Sequence, residues 1–424
     1  MTHLFTSEEL KALDALEYRE ENALALSTAL RKQGFPPDRA SALLTQAKLR
    51  AQARLKFGQE AERMLFTRPG LEQATRTSVA QWHARRFQRA GIDSVADLGC
   101  GIGSDSAAFL RAGLSVLSYE IDPDTASVAR HNLSIHAKSE VRTEDVTSID
   151  ATALHTVDGE PIRALWLDPA RRETEQGRVS RLFDPEAFAP PFSQIERWAS
   201  TGIAMGVKMG PGMEHADIPG HAEAEWVSCG GDVVELILWF NGLARPGVRR
   251  SATVLDSDPL EPHVIAHFSS GSEFGHDVDG SLSEPRTGPP AAYLYEPDGA
   301  VIRAGLIDQL ASTVEGHFLD PRIAYFTSEQ GLNIPGATCW AVEEDLPMGA
   351  KTLKKWVRDH GVTGLTIKKR GVDVVPETLR GQLLTGPKRG KKTSTGRHAT
   401  LILTRWESQE TEQRAAFVVR RMSR

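Results

Sequence analysis

The chain has 424 residues, more than one hydrophobic core usually serves, so two or three domains are expected. Its apolar and charged fractions are those of an ordinary globular protein, and no run of about 18 apolar residues offers a membrane span. The formal charge of −6 hides an asymmetry: Lys351 to Thr400 holds 13 Lys or Arg against 3 Asp or Glu, a local +10 that leaves −16 on the rest. A segment so basic suits an anionic partner or, more simply, a solvated surface. Cys100, Cys229 and Cys339 are isolated and odd in number, which excludes a disulfide framework and fits a cytoplasmic location. The start, MTHLFTSEELKALDALE, reads as a helix and not as a signal peptide.

Residues 1–66 are expected to form an N-terminal helical region. Ser7 to Leu10 opens a helix with Leu10, Leu13 and Leu16 at helical spacing, and Gly34 to Asp38 breaks the pattern. Beyond the break Ala40, Leu43, Leu44, Ala47 and Ala51 continue an apolar stripe, marking either a cap on the next domain or a lid or nucleic-acid arm. From about residue 92 strands and helices alternate: strands at 94–98, 114–119, 141–143, 164–167 and 203–209, with helices at 106–112 and 125–133 between the first three. Asp122-Pro123 caps the second helix. Val233 to Phe240 and Ser251 to Leu255 fit a closing antiparallel pair. Such alternation predicts an α/β class with an open, mostly parallel Rossmann-like sheet over residues 67–255. Residues 256–290 read as a linker or irregular insertion, and 291–424 as a second, α+β domain. Its predicted elements are a helix at 352–359, a strand at 364–368, a helix at 376–384 and a strand at 400–405.

Asp97-Leu98-Gly99-Cys100-Gly101-Ile102-Gly103 lies between a strand and a helix, where glycines let the main chain turn sharply and a ligand approach it. A dinucleotide loop would carry its third glycine at the position of Ser104, not at Gly103. Glu120 ends the second strand, where a carboxylate accepts from both hydroxyls of a ribose. After the third strand Asp145 and the Val146 N–H are either at the height of an adenine ring or part of a solvated turn. Asp168-Pro169-Ala170-Arg171 follows the fourth strand, at the edge where open sheets bind ligands. Trp166, two residues earlier, lies either under a base or in the core, and Lys208, ending the fifth strand, either meets substrate or caps the sheet. His263, His267 and His276 show no metal-ligand spacing, so no metal is expected.

The order DLGCGIG, the acid of YEID, the acid of TEDV and DPAR resembles the motifs of class I S-adenosylmethionine-dependent methyltransferases over roughly residues 70–255. The resemblance implies S-adenosylmethionine as cofactor, with Asp97, Gly99, Gly101, Glu120, Asp145 and Val146 as its binding residues and Asp97 at its amino-acid end. LFTRPGLEQATR resembles the segment that covers the cofactor in RNA N-methyltransferases of the trimethylguanosine-synthase type, which adds Thr75 and Arg76. In amino-methylating relatives the motif at Asp168 is [DNS]-P-P-[YFW], whose first side chain orients the acceptor amine and whose aromatic stacks on the base. Here Asp168 and Pro169 match, while Ala170 and Arg171 depart. That puts base stacking in doubt and leaves Arg171 and Arg172 as phosphate donors. Asp168, Pro169 and Arg171 are the candidate catalytic residues.

AAYLYEPDGAVIRAGL and TLKKWVRDHGVTGLTIKKRGVDV resemble the THUMP-like domain found behind bacterial methyltransferase domains; true THUMP domains bind RNA in tRNA-modifying enzymes. Lys368, Lys369, Arg370, Lys391 and Lys392 are the candidate RNA contacts, beside Lys208 at the sheet edge. The expected activity is methylation of a structured RNA such as tRNA. A small-molecule methyltransferase and a non-catalytic RNA-binding protein that keeps the fold are the alternatives. No membrane contact is expected, and oligomeric state is not legible.

Overall fold

The structure, a computed structural model, describes residues 5–171, 185–272, 286–384, 396–408 and 411–423. They fall into two compact units: Met1–Gly230, Val234–Val248 and Leu255–Val264 in the first, and Gly231–Val233, Arg249–Val254 and Ile265–Arg424 in the second.

The first unit opens with α1 (Ser7–Asp14), α2 (Ala23–Lys32) and α3 (Pro37–Phe57). Thr6 and Glu9 form a reciprocal capping box on α1, and buried Glu9 also accepts from Arg39 at 2.7 Å. Leu13, Leu30, Leu43, Leu49 and Phe57 share a core with Ile102 of the glycine loop and Val128 beyond it. The helices are therefore a cap. The expected stripe holds at Ala40, Leu43 and Ala47, but Ala51 is exposed and burial passes to Ala53 and Phe57. Short α4 (Arg68–Gln73) and α5 (Thr77–Arg89) lead into β1 (Ser94–Leu98), α6 (Ser104–Arg111), β2 (Ser115–Tyr119), α7 (Pro123–Leu133), β3 (Ser139–Arg142) and β4 (Ala164–Leu167). The ribbon of β5 (Ala170–Arg171) and β6 (Phe188–Ala189), then α8 (Phe192–Ala199), β7 (Ala204–Met209), β8 (Glu223–Cys229) and β9 (Asp232–Phe240), complete it.

The sheet order there is β8-β9-β7-β4-β1-β2-β3. β1 pairs in parallel with both β2 and β4, so the strand order reverses at β1 and opens a crevice beyond the carboxyl ends of β1 and β4. β9 runs antiparallel to β7. The neighbours of β9 are β7 and β8, so the expected pairing of Val233–Phe240 with Ser251–Leu255 is not made. The strand Glu223–Cys229 was not anticipated because two glutamates interrupt its apolar pattern. Both are buried nonetheless: Glu223 accepts from Arg245 at 2.7 Å, and Glu225 accepts from the indoles of Trp82 and Trp239. A strand can bury carboxylates when cations and N–H donors meet them there.

β10 (Arg250–Leu255) and β11 (Val264–Ser270) follow; β11 occupies part of the stretch expected to be irregular. The second unit then contains β12 (Tyr293–Pro297), α9 (Gly299–Arg303), α10 (Ile307–Thr313), β13 (His317–Phe318), β14 (Phe326–Ser328), β15 (Ala337–Leu346), α11 (Ala350–Asp359), β16 (Val362–Lys369), α12 (Pro376–Leu384), β17 (Arg397–Ser408) and β18 (Thr411–Arg421). Its sheet order is β13-β14-β12-β15-β18-β17-β16, with only the β16–β17 pair parallel among the registers described. Leu353, Trp356 and Leu379 from α11 and α12 cover Leu401, Leu403 and Val418 on one face. Leu319, Tyr325, Trp340, Ile402 and Phe417 form the core on the other. The fold class expected from the sequence, a Rossmann-like sheet with an N-terminal helical region and a C-terminal α+β domain, is the one observed.

Candidate active site

Every residue of β1 is buried, which fixes where the following loop begins. Gly99 (φ 100°) and Gly103 (φ 88°) are left-handed, so a side chain at either would strain the turn. The Gly99 and Cys100 N–H groups donate to the Tyr119 carbonyl at 3.0 and 2.8 Å, tying the loop to the end of β2. Glu120 completes this tie: Oε2 accepts from the Gly101 N–H at 3.1 Å and Oε1 from the Asp122 N–H at 2.9 Å. Each oxygen keeps a lone pair, as a ribose acceptor requires. Asp122 itself caps α7 through Thr125, as expected.

The loop, Glu120, Asp145 and Val146 line a cleft of about 990 Å³. Asp145 is exposed, and its Oδ1 accepts from the Thr147 N–H and hydroxyl. At the other end the walls are Thr75, Asp97, Asp105, Asp168 and Lys208, and Gly70 and Gln73 of the preceding segment also line the cleft. Gly70 is needed there, since a Cβ would lie 2.4 Å from the Ile102 side chain. Lys56, on α3, holds this segment by donating to the carbonyls of Leu71, Glu72 and Ala74 at 2.7, 2.8 and 3.0 Å.

Charge is concentrated at this end. Asp97 is 1% exposed and accepts from Ser106 Oγ at 2.5 Å. Burial, and then the charge of Asp105, push its carboxyl up to about 8. Asp105 is kept ionised. Burial opposes this, but His83 Nδ1 lies 2.7 Å from it and holds its pKa below the ordinary carboxylate value. His83 is fully buried and its Nε2 lies 2.5 Å from Glu235 Oε1. Burial alone would lower its pKa; Glu235 and Asp105 outweigh that and raise it to about 10. Lys208 Nζ donates to Asp168 Oδ2 at 2.6 Å and to Thr75 Oγ1 at 3.2 Å. Burial again opposes its charge, and Asp168, Asp105 and Glu235 together hold it protonated above the ordinary lysine value. Acids outnumber cations along this wall, which fits a cationic ligand.

Thr75, Asp97, Gly99, Gly101, Glu120, Asp145, Val146, Asp168 and Lys208 thus surround one cleft. Trp166 is fully buried, with its ring 4.4 Å from that of His83, so it is a core residue that also lines the cleft. Ala170 lines the cleft. Arg171 pairs with Phe188 through its backbone, while its side chain, like Arg172, Lys391, Lys392 and His276, lies outside the described residues. Arg76 precedes α5 as its N-cap. In the second unit, Lys368 donates to Glu296 at 2.7 Å, Lys369 to the Val372 carbonyl at 3.4 Å, and Arg370 stands 5.2 Å over the Tyr325 ring. His267 bonds the Thr253 hydroxyl at 2.8 Å. Asp105, His83, Glu235 and Lys56 were missed by sequence reasoning. Asp105 alone carried a local signal, two residues past Gly103 in the first turn of α6; the others act through partners remote in the chain.

In sequence and in fold the chain is similar to S-adenosylmethionine-dependent methyltransferases. The chain is 29% identical to an uncharacterized S-adenosylmethionine-dependent methyltransferase of Mycobacterium tuberculosis, found alike in strains CDC 1551 and H37Rv, over 82% of this chain and 89% of the relative. It superimposes on the crystal structure of a putative methyltransferase from Porphyromonas gingivalis with a TM-score of 0.70 and 20% identity, covering 96% of this chain and 100% of that one. Residues 337–421 match the family described as THUMP domain-like, and residues 2–53 match a domain of unknown function. The described residues contain no helix long and apolar enough to cross a membrane.

Proposed function

We propose that this chain is an S-adenosylmethionine-dependent methyltransferase that methylates a structured RNA, tRNA being the form to test first. The acid-lined cleft carries the first half of this reading. Bound there, the cofactor supplies an electrophilic methyl group. Glu120 would hold the ribose, Asp145 and Val146 the adenine, and Asp97 with Asp105 the ammonium of the amino-acid end. Asp168 lies at the carboxyl end of β4, with Lys208 fixing one of its oxygens. It would orient the acceptor group, so that positioning supplies most of the rate. Pro169 and Arg171 would shape the loop that meets the acceptor.

The single observation that favours RNA is the THUMP domain-like segment at 337–421, which contains residues 351–400 with their local charge of +10. Lys368, Lys369, Arg370, Lys391 and Lys392 remain the proposed contacts. The test is incubation of the full chain with labelled cofactor and total RNA, followed by nucleoside mass spectrometry. Label should enter RNA with wild type. Asp168→Ala should bind the cofactor as wild type does and transfer no methyl group. Absence of label in RNA, together with no RNA retention on filters at low salt, rejects the RNA reading in favour of a small-molecule acceptor.

A further inference from the structure

Behind the acid-lined wall three buried side chains stand in a row. His83, from α5, presents Nδ1 to Asp105 Oδ1 at 2.7 Å and Nε2 to Glu235 Oε1 at 2.5 Å. Both ring nitrogens therefore carry protons, since a neutral ring would set a lone pair against one of the carboxylates. The Trp166 ring, 4.4 Å away, is within range of a cation–π contact and favours the same charged form. His83 and Glu235 are 0% and 2% exposed and do not line the cleft, so neither meets a ligand there. Asp105 does line the cleft, and 9% of its side chain stays accessible. Among the described residues, His83 is the one side-chain hydrogen-bond partner of Glu235.

Packing alone does not call for this row, because replacing a buried ion cluster by apolar side chains of like volume is often neutral or stabilising. What the row supplies is charge. Two carboxylates and one imidazolium leave one net negative charge, and the end that reaches the cleft is Asp105. The adjoining groups add none in the free protein: Lys208 and Asp168 cancel each other at 2.6 Å, and Asp97, its carboxyl pushed up to about 8, is protonated. We infer that His83 and Glu235 are positioning residues for the ammonium of the cofactor's amino-acid end. His83 fixes Asp105 as an ionised acceptor, and Glu235 offsets the imidazolium charge, which alone would cancel that of Asp105. The inference rests on the cofactor reading above and extends it to two residues that never touch the cofactor.

Calorimetry on the full chain tests this with two ligands, S-adenosylhomocysteine and its desamino analogue, which differ only in the ammonium. Wild type should bind the first about tenfold or more tightly than the second. The double variant His83→Phe/Glu235→Met puts apolar side chains of similar volume in place of the ion pair, and its melting temperature shows whether it folds. It should bind S-adenosylhomocysteine about tenfold more weakly and the desamino analogue as wild type does. In an Asp105→Asn background the same two changes should weaken S-adenosylhomocysteine no further, because His83 acts through Asp105. A loss shared equally by both ligands, a second full loss in the Asp105→Asn background, or an unchanged preference for the ammonium overturns the inference. Nitrogen NMR of the wild-type chain needs no variant. Both His83 ring nitrogens should carry protons at neutral pH, and their resonances should move with S-adenosylhomocysteine and stay with the desamino analogue. A singly protonated ring, or an equal response to both ligands, overturns the inference. Wild type that binds both ligands alike overturns it too and leaves the cofactor reading standing, whereas wild type that binds neither overturns the cofactor reading itself.

Discussion

Cofactor affinity should rise with pH between about 5.5 and 7.5, and the rise should vanish in Asp97→Asn. Free Asp97 is buried beside Asp105 with its carboxyl pushed up to about 8, so the unliganded protein keeps it protonated across this range. A ligand that sets an ammonium against it favours the carboxylate and lowers the bound-state pKa. Binding then expels a proton, and a reaction that releases protons is favoured as pH rises. The ceiling is tenfold per pH unit, or about 1.4 kcal/mol, and about a hundredfold over two units. The rise ends near pH 8, where Asp97 ionises unaided and an α-amino group, with a pKa of about 7.7–8.0, loses its own charge. Neighbours stay out of this window: His83 is raised to about 10, Asp105 is lowered, and Lys208 is raised. Calorimetry at about pH 6 and 7, in buffers of different ionisation enthalpy, counts the protons directly. S-adenosylhomocysteine keeps the ammonium and lacks the sulfonium, so it should show the same slope. Wild-type binding with no proton release, or an unchanged slope in Asp97→Asn, refutes the assignment of Asp97 to the ammonium.

Glu120→Ala should weaken cofactor binding tenfold or more, since each charge-assisted bond to the ribose contributes about 1.5–3 kcal/mol; unchanged affinity by calorimetry would remove the ribose assignment. Lys56→Met removes three hydrogen bonds to the segment over the cleft, and should raise the cofactor Kd about tenfold while α3 keeps its helicity by circular dichroism. Equal affinity would mean that Leu71 to Ala74 holds its place unaided. His83 has a raised folded-state pKa, so its stabilising contribution is complete below about 6.5 and is lost as pH climbs through about 10. Asp97 acts with the same sign but is finished by about 8, and the buried Cys100 thiol, held well above its ordinary value, adds a loss only from about pH 9, so between about pH 8 and 9 the loss belongs to His83, at up to about 1.4 kcal/mol per unit. Hydrogen exchange of the β1 and β4 amides should show their opening free energy falling over that interval, and a flat profile would contradict the charged His83.

What could be read in the sequence was local. Asp97 to Gly103 declares a turn because three glycines in five residues can occupy left-handed conformations, and Asp122-Pro123 declares a helix start through its own side chain. Alternating strands and helices implied the sheet edge, and with it the approximate place of Glu120, Asp145 and Asp168. These signals depend on neighbours within a few residues, where backbone geometry alone sets which groups meet. Only the tertiary structure decided the partners. Lys208 stands in the cleft wall beside Asp168, forty residues away in the chain and 2.6 Å away in space, a meeting that no spacing announces. The strand Glu223–Cys229 hid because its glutamates look solvated until Arg245, Trp82 and Trp239 arrive from other elements. His83 carries no signal of its own among 13 histidines, and only the fold brings Asp105 and Glu235 onto its two ring nitrogens. A buried charge is tolerable only beside its counter-charge, and which distant segments deliver that counter-charge follows from how the sheet is ordered, not from any spacing along the chain.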